Sequence, residues 1–314
     1  MSEQQTHPRT DPAALKERIG PYGAWLGTTL FATPAATLRR AAAEIEDIGL
    51  GALWFGGDYP GGSEALSKAA VLLSATQRLT VATGIASIWS RDAILATTAA
   101  DTLADAWPDR FVLGLGASHP PLVAARGRTY AKPLTAVREY LDAMDAAASY
   151  AAPLRAPVPR VLAALRPRML ELARDRAQGA HPYFTTPEHT AKARAVLGPE
   201  PLLAPEQAVV ITTDPEHART RAREYTAIYL SLPNYVNNLR ELGWSEEDLT
   251  AQNGTGSDAL VDALVGWGDA AAVAERVNAH LAAGADHVSV QPLAPTVEEQ
   301  TAQLRELAPL LLRR

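Results

Sequence analysis

Short β-branched or apolar runs alternate with amphipathic helical patterns about eight times along the 314-residue chain, and this rhythm is its strongest constraint on fold. The strand candidates are Gly23–Thr28, Ala52–Gly56, Leu79–Ala86, Arg110–Gly116, Arg160–Leu165, Gly179–Phe184, Gln207–Thr213 and Asp286–Gln291. The runs LTVATGIA, RFVLGLG and VPRVLAAL are apolar on both faces, as strands buried in a parallel sheet should be. Helix starts are legible at Thr33-Pro34, at Ser63-Glu64 and at Thr213-Asp214-Pro215-Glu216, each pairing a capping side chain with Pro or an acid. Gly49, Gly198 and Gly284 stand where helices end. The pattern predicts an α/β fold, a (β/α)8 TIM barrel, as one domain over residues 1–314. An open doubly wound sheet is the alternative; it needs fewer strands and leaves a second domain that no linker bounds.

One stretch breaks the rhythm. Residues 214–284 separate the seventh and eighth strand candidates and are far longer than a single crossover helix. They predict a helical insertion between strands 7 and 8. It comprises a helix through Tyr225 and Tyr229, a break at Pro233-Asn234, a second helix, a polar loop near 253–256, then helices at Asp258–Val265 and Ala270–Ala283. In a barrel such an insertion walls the catalytic face. Its aromatics suggest a partly apolar ligand.

Composition narrows the chemistry. There is no cysteine, which excludes disulfides, thiolate-ligated metals and thiol nucleophiles, and favours a reducing compartment. A net charge of -6 gives no general attraction to nucleic acid or anionic membrane. The stretch 1–18 reads as a polar extension without the apolar core of a signal peptide, and no run has the length of a spanning helix. These features predict a soluble cytoplasmic protein. The seven histidines show no metal-ligand spacing, and none is assigned to a metal.

The sharpest local feature is RFVLGLGASH, residues 110–119. Its third glycine position is His119 and no acidic partner follows, so the dinucleotide fingerprint is absent. The plain alternative is a glycine-bearing barrel strand. In a barrel, however, Gly116 to His119 emerge at the C-terminal face, where catalytic groups sit. Gly57-Asp58 and Trp89-Ser90-Arg91 leave two other strands at the same face. Arg166-Pro167-Arg168 precede a helix start and form a candidate anion site, or else solvated surface charge. Thr185 and Thr186 precede another helix. Trp25, Asp58 and Trp89 are candidates for the substrate pocket; the tryptophans fit core packing equally.

Together ALWFGG, VATGIASIW, DRFVLGLGASH, VLAALRPRMLELA, GAHPYFTTPEHT, LLAPEQAVV and LPNYVNNLRELGW resemble the luciferase-like monooxygenase superfamily over nearly the whole length. More narrowly, the chain resembles the actinobacterial coenzyme F420-dependent oxidoreductases. The resemblance implies a barrel with an insertion, a homodimer, and a deazaflavin or flavin at the C-terminal face. It implies a non-prolyl cis peptide at Gly84–Ile85, a bond costing ~3–4 kcal/mol. Gly114, Gly116, Ala117 and Ser118 match the loop beside the ring, and Ala164, Leu165 and Arg166 the turn that meets the cofactor phosphate. Arg166 departs from the glycine common there, and Gly57-Asp58 from the Asp-His of the related sugar dehydrogenases. His119 stands where those enzymes carry glutamate, and imidazole can serve there as proton donor or acceptor.

The resemblance therefore implies hydride transfer between coenzyme F420 and a small-molecule substrate, with His119 catalytic. Two alternatives stand beside it: a monooxygenase using reduced FMN, and a non-catalytic cofactor-binding barrel.

Overall fold

The computed structural model describes residues 10–147 and 153–312. Ten strands run parallel: β1 Tyr22–Leu26, β2 Ala52–Gly56, β3 Thr80–Ser87, β4 Phe111–Gly116, β5 Arg160–Leu162, β6 Gly179–Ala180, β7 Leu202–Leu203, β8 Glu206–Ile211, β9 Val265–Gly268 and β10 Val288–Pro292. Their order is β7-β6-β5-β4-β3-β2-β1-β10-β8-β9, with helices between most consecutive strands. Only Ala204-Pro205 separates β7 from β8, and this stretch joins the two edges. Ala204 and Glu206 donate to Ala180 and Pro182 on the β6 side, while Ser289 and Leu293 donate to Pro205 and Val209 from the β10 side. The sheet therefore curls into an eight-stave barrel, and β9 lies as an extra strand against β8.

The period-two geometry of strands sorts the side chains into two cores. Leu53, Phe55, Val81, Phe111, Leu113 and Val290 face outward, against helices that bury Leu38, Ile45, Leu72, Leu141 and Leu304. Trp25, Trp54, Ala82, Val112, Val161 and Ala208 face inward and fill the barrel. Inside, Trp25 and Trp54 sandwich His181, with ring centroids 5.0 and 4.7 Å away.

Four expectations need correction. The strands that begin at Arg160 and Gly179 are shorter than read, ending at Leu162 and Ala180. The insertion is not wholly helical: Val265–Gly268 forms β9, since Val265 and Gly266 find ladder partners on β8. It also holds a further kinked helix, Glu246–Gly254, started by a Ser245–Asp248 capping box. The polar N-terminal stretch is in part structural. Residues 1–9 lie outside the described residues, but Asp11 caps a helix Pro12–Ile19 that buries Leu15 and Ile19.

The fourth concerns Gly84–Ile85, whose peptide bond is trans. Relative to both neighbours β3 carries one extra residue: Phe55 and Gly56 pair with Thr83 and Ile85, and Ala82 and Ala86 with Val112 and Leu115. This β-bulge re-aims the strand without isomerisation. Beside it the Thr83 hydroxyl accepts from the Gly114 N–H and donates to the Gly114 carbonyl, replacing ladder bonds.

Candidate active site

Three non-glycine residues at the C-terminal ends of the staves adopt left-handed backbone: Asp58 after β2, Ser118 after β4 and Phe184 after β6. Each such conformation costs about 1–3 kcal/mol and persists only where surrounding structure imposes it. Between the ends of β3, β4, β5 and β6 opens a cavity of 580 Å³. It gathers Ile85, Gly116, Ala117, Ser118, His119, Ala164, Leu165 and Arg166, eight of the residues singled out in the sequence.

One wall is built of small residues, Gly116, Ala117, Ala163 and Ala164. A Cβ on Gly116 would lie 3.0 Å from Ile85 Cγ2 and 3.1 Å from Ala163 Cβ, so glycine keeps this wall thin. Ala117 is fixed from behind by Trp89, whose indole N–H donates to its carbonyl at 2.8 Å. Trp89 thus backs the wall and does not line the cavity. Gly84 and Gly114 also lie behind it: Gly84 packs on Trp25, and a Cβ on Gly114 would fall 1.6 Å from the Thr83 carbonyl oxygen.

His119 caps the helix Pro120–Ala124 and enters the cavity beside Tyr235, ring centroids 5.6 Å apart. Burial lowers its imidazole below the ordinary histidine value, opposed by a hydrogen bond with the Asn234 side chain. Nδ1 is buried and has no partner. A neutral imidazole with one free nitrogen can accept a proton at neutral pH.

At the opposite end, helix Pro167–Arg176 starts at the cavity with Pro167 at its first position. Pro167 has no N–H, and Met169 and Leu170 donate to the Arg166 carbonyl, so the Arg168 N–H and the dipole are what favour an anion there. The Arg166 guanidinium is not free: its Nε donates to Glu241 Oε1 at 2.7 Å. Arg168, exposed at the same helix start, has no carboxylate partner among the described residues. Thr185 and Thr186 are buried behind this turn and do not reach the cavity. Their neighbour His189 donates from Nε2 to the Leu165 carbonyl at 2.7 Å, so this segment braces the turn.

Trp25 and Asp58 also stand outside the cavity. Trp25 is barrel core. Asp58 accepts from the Ser87 and Ala65 N–H groups and binds the Arg91 guanidinium through both oxygens, beside a separate 680 Å³ cavity. Glu64 also binds Arg91. Asp58 is therefore the hub joining the ends of β2 and β3.

The structure adds residues that the pattern reading left out of the site. His181, Tyr130, Tyr183, Asn234, Tyr235 and Glu241 line the cavity. Asn234, Tyr235 and Glu241 come from helix Pro233–Leu242 of the insertion, whose Pro233-Asn234 break was the available signal. Behind them Phe184, Tyr225 and Tyr229 complete an aromatic cluster. Tyr183 donates to Gln291 at 2.9 Å and lies 2.9 Å from the Tyr229 hydroxyl. Glu206 is wholly buried against this cluster, and burial pushes its carboxyl up to about 8.

Among the described residues no cluster of His, Asp and Glu could hold a metal ion, and no helix is long and apolar enough to cross a membrane.

The family profile described as luciferase-like monooxygenase matches residues 19–287. No curated protein sequence matches. Among solved structures, the coenzyme F420-dependent tetrahydromethanopterin reductase from Methanopyrus kandleri is similar at TM-score 0.75 and 17% identity, over 93% of this chain and 99% of that one. An F420-dependent secondary alcohol dehydrogenase, solved with an F420–acetone adduct, gives 0.73 and 14%, over 94% and 99%. The oxygenating constituent of 3,6-diketocamphane monooxygenase from Pseudomonas putida, solved with FMN, gives 0.65 and 15%, over 92% and 98%. At these identities the likeness establishes fold.

Proposed function

The chain belongs to the luciferase-like monooxygenase family, and from that premise we propose that it is an oxidoreductase that moves a hydride between coenzyme F420 and a small organic substrate. One observation carries the reading: a single cavity holds a small-residue wall, a helix N-terminus and a partly buried imidazole with a free nitrogen. The choice of deazaflavin over FMN follows the sequence segments that resemble the F420-dependent branch.

The residues present fit a tricyclic ring bearing a phosphate. Gly116, Ala117 and Ala164 leave a face without side-chain bulk, and Ile85 on the bulged strand supplies apolar contact. The start of helix 167–176, with Arg168, supplies anion-binding groups without a free Arg166. Bound there, the ring would supply the hydride chemistry. His119 would take or return the proton that accompanies hydride transfer at a carbonyl or alcohol oxygen. Tyr235 and Asn234 hold its ring, and the insertion helix walls that side of the cavity. On this reading Gly84, Gly114, Thr185 and Thr186 support the site from behind.

The protein would act as a homodimer in the cytoplasm, as the resemblance implies. Anaerobic single-turnover measurement with reduced F420 and a panel of carbonyl and alkene compounds tests the proposal. Oxidation of the deazaflavin without oxygen is the expected result. Oxygen uptake with reduced FMN, and none of the former reaction, would give the monooxygenase reading instead.

A further inference from the structure

His181 lines the cavity, and the proposed reaction leaves its geometry unused. Its ring is clamped between Trp25 and Trp54, nearly parallel to both, at interplanar angles of 18° and 10°. Nδ1 lies 2.6 Å from the Ala204 carbonyl oxygen, a group that only accepts, so Nδ1 carries the hydrogen. Nε2 therefore presents a bare lone pair, fully buried and without a partner. Buried polar atoms in native proteins almost always have partners, so an orphan beside a ligand cavity calls for one. The backbone keeps the space at that atom clear: a Cβ on Gly84 would lie 3.1 Å from Nε2 and collide with Trp25.

We propose that His181 Nε2 is a ligand-reading acceptor, taking a hydrogen bond from an N–H or O–H of the molecule that occupies the 580 Å³ cavity. The inference rests on the reading of this cavity as the ring and substrate site. Protonation cannot easily convert Nε2 to a donor, because burial and the neighbouring His287 both oppose charge on the ring. An acceptor that cannot rotate or change tautomer rewards a ligand with a donor and penalises one that presents only lone pairs. His181 would thus select ligands, while His119 handles the proton.

The donor has two sources, the N–H groups of the tricyclic ring or a hydroxyl or amide of the substrate. They are separated by ¹⁵N NMR of the imidazole nitrogens, with His181 assigned by loss of its signals in His181→Phe. Phe keeps an aromatic ring between the tryptophans but has no acceptor. An upfield move of the Nε2 resonance on adding F420 or FMN assigns the donor to the ring. In that case His181→Phe should bind the ring about tenfold more weakly. A move that appears only when propan-2-ol or acetamide, and not acetone, is added to the ring-loaded protein assigns it to the substrate. A Nε2 resonance unmoved in ring-loaded protein by any of these probes overturns this inference and leaves the function standing. Failure of the wild-type protein to bind either ring overturns both.

Discussion

The Tyr225 hydroxyl donates to Glu206 Oε2 at 3.3 Å, and this weak bond and a second of 3.3 Å from the Phe184 N–H are all that a fully buried carboxyl receives. No Lys, Arg or His lies within ion-pair distance of Glu206 among the described residues, and Oε1 has no partner. Burial accordingly raises the group from 4.5 to about 8, so it is largely neutral at neutral pH.

The folded chain thus holds a proton that the unfolded chain loses. Stability contributed by this group is complete below pH 4.5 and declines as the pH rises toward 8, by up to about 1.4 kcal/mol per unit. Glu206→Gln should therefore raise the melting temperature at pH 8 and change it little at pH 5. Melting curves across that range check it; equal effects at both ends would place a cation or an ordered anion-binding partner at Glu206.

Asp58 and Arg91 form a buried ion pair at the ends of β2 and β3. Removing one partner of such a pair strands the other charge, at about 3–5 kcal/mol. Asp58→Asn should lower the unfolding free energy by that order while leaving the affinity for the ring within about twofold, because Asp58 does not reach its cavity. Denaturant unfolding and a binding titration measure the two effects. A large loss of affinity in a stable variant would return Asp58 to the ligand site.

His119 is partly buried, and burial holds its imidazole below the usual histidine value. In turnover it should act as an acceptor above that lowered value, so the acidic limb of the rate profile should fall below pH 6.5. His119→Ala should cost about 10²–10⁴ in turnover and abolish that limb, with ring affinity preserved. An unchanged rate would remove His119 from the chemistry.

Gly116→Val tests the small-residue wall. Its Cβ would already press on Ile85 and Ala163, and the two methyl groups beyond would fill the ring space. Loss of ring binding by at least about tenfold, with a folded circular-dichroism spectrum, is expected. Arg166→Ala is the contrast. Its exposed pair with Glu241 is worth at most about 1 kcal/mol, and the helix N-terminus remains, so little should change.

The barrel was legible because buried parallel strands advertise themselves as apolar runs, and RFVLGLG and LTVATGIA fell where expected. Leu202-Leu203 and Val265–Gly268 were not legible: strands of two residues between prolines, or of four with two glycines inside, have no period to read. Of the candidate site, Gly116 to His119 and Ala164 to Arg166 could be placed because they directly follow strands. His181 carried no signal in the sequence, since its stacking is core packing and its free nitrogen depends on a contact with Ala204 that no local pattern encodes. Tyr235 and Asn234 reach the cavity only through the packing of the insertion. The expected cis bond was a bulge instead, for one extra residue in β3 already turns the chain.

The most direct test of the central claim is a fluorescence-quenching titration of the purified protein with oxidised F420 and, separately, FMN, repeated with Gly116→Val. Tight binding of F420, weaker binding of FMN and loss of both in Gly116→Val is the predicted result. A protein that prefers FMN would contradict the deazaflavin assignment, and one that binds neither would contradict the cavity as a ring site.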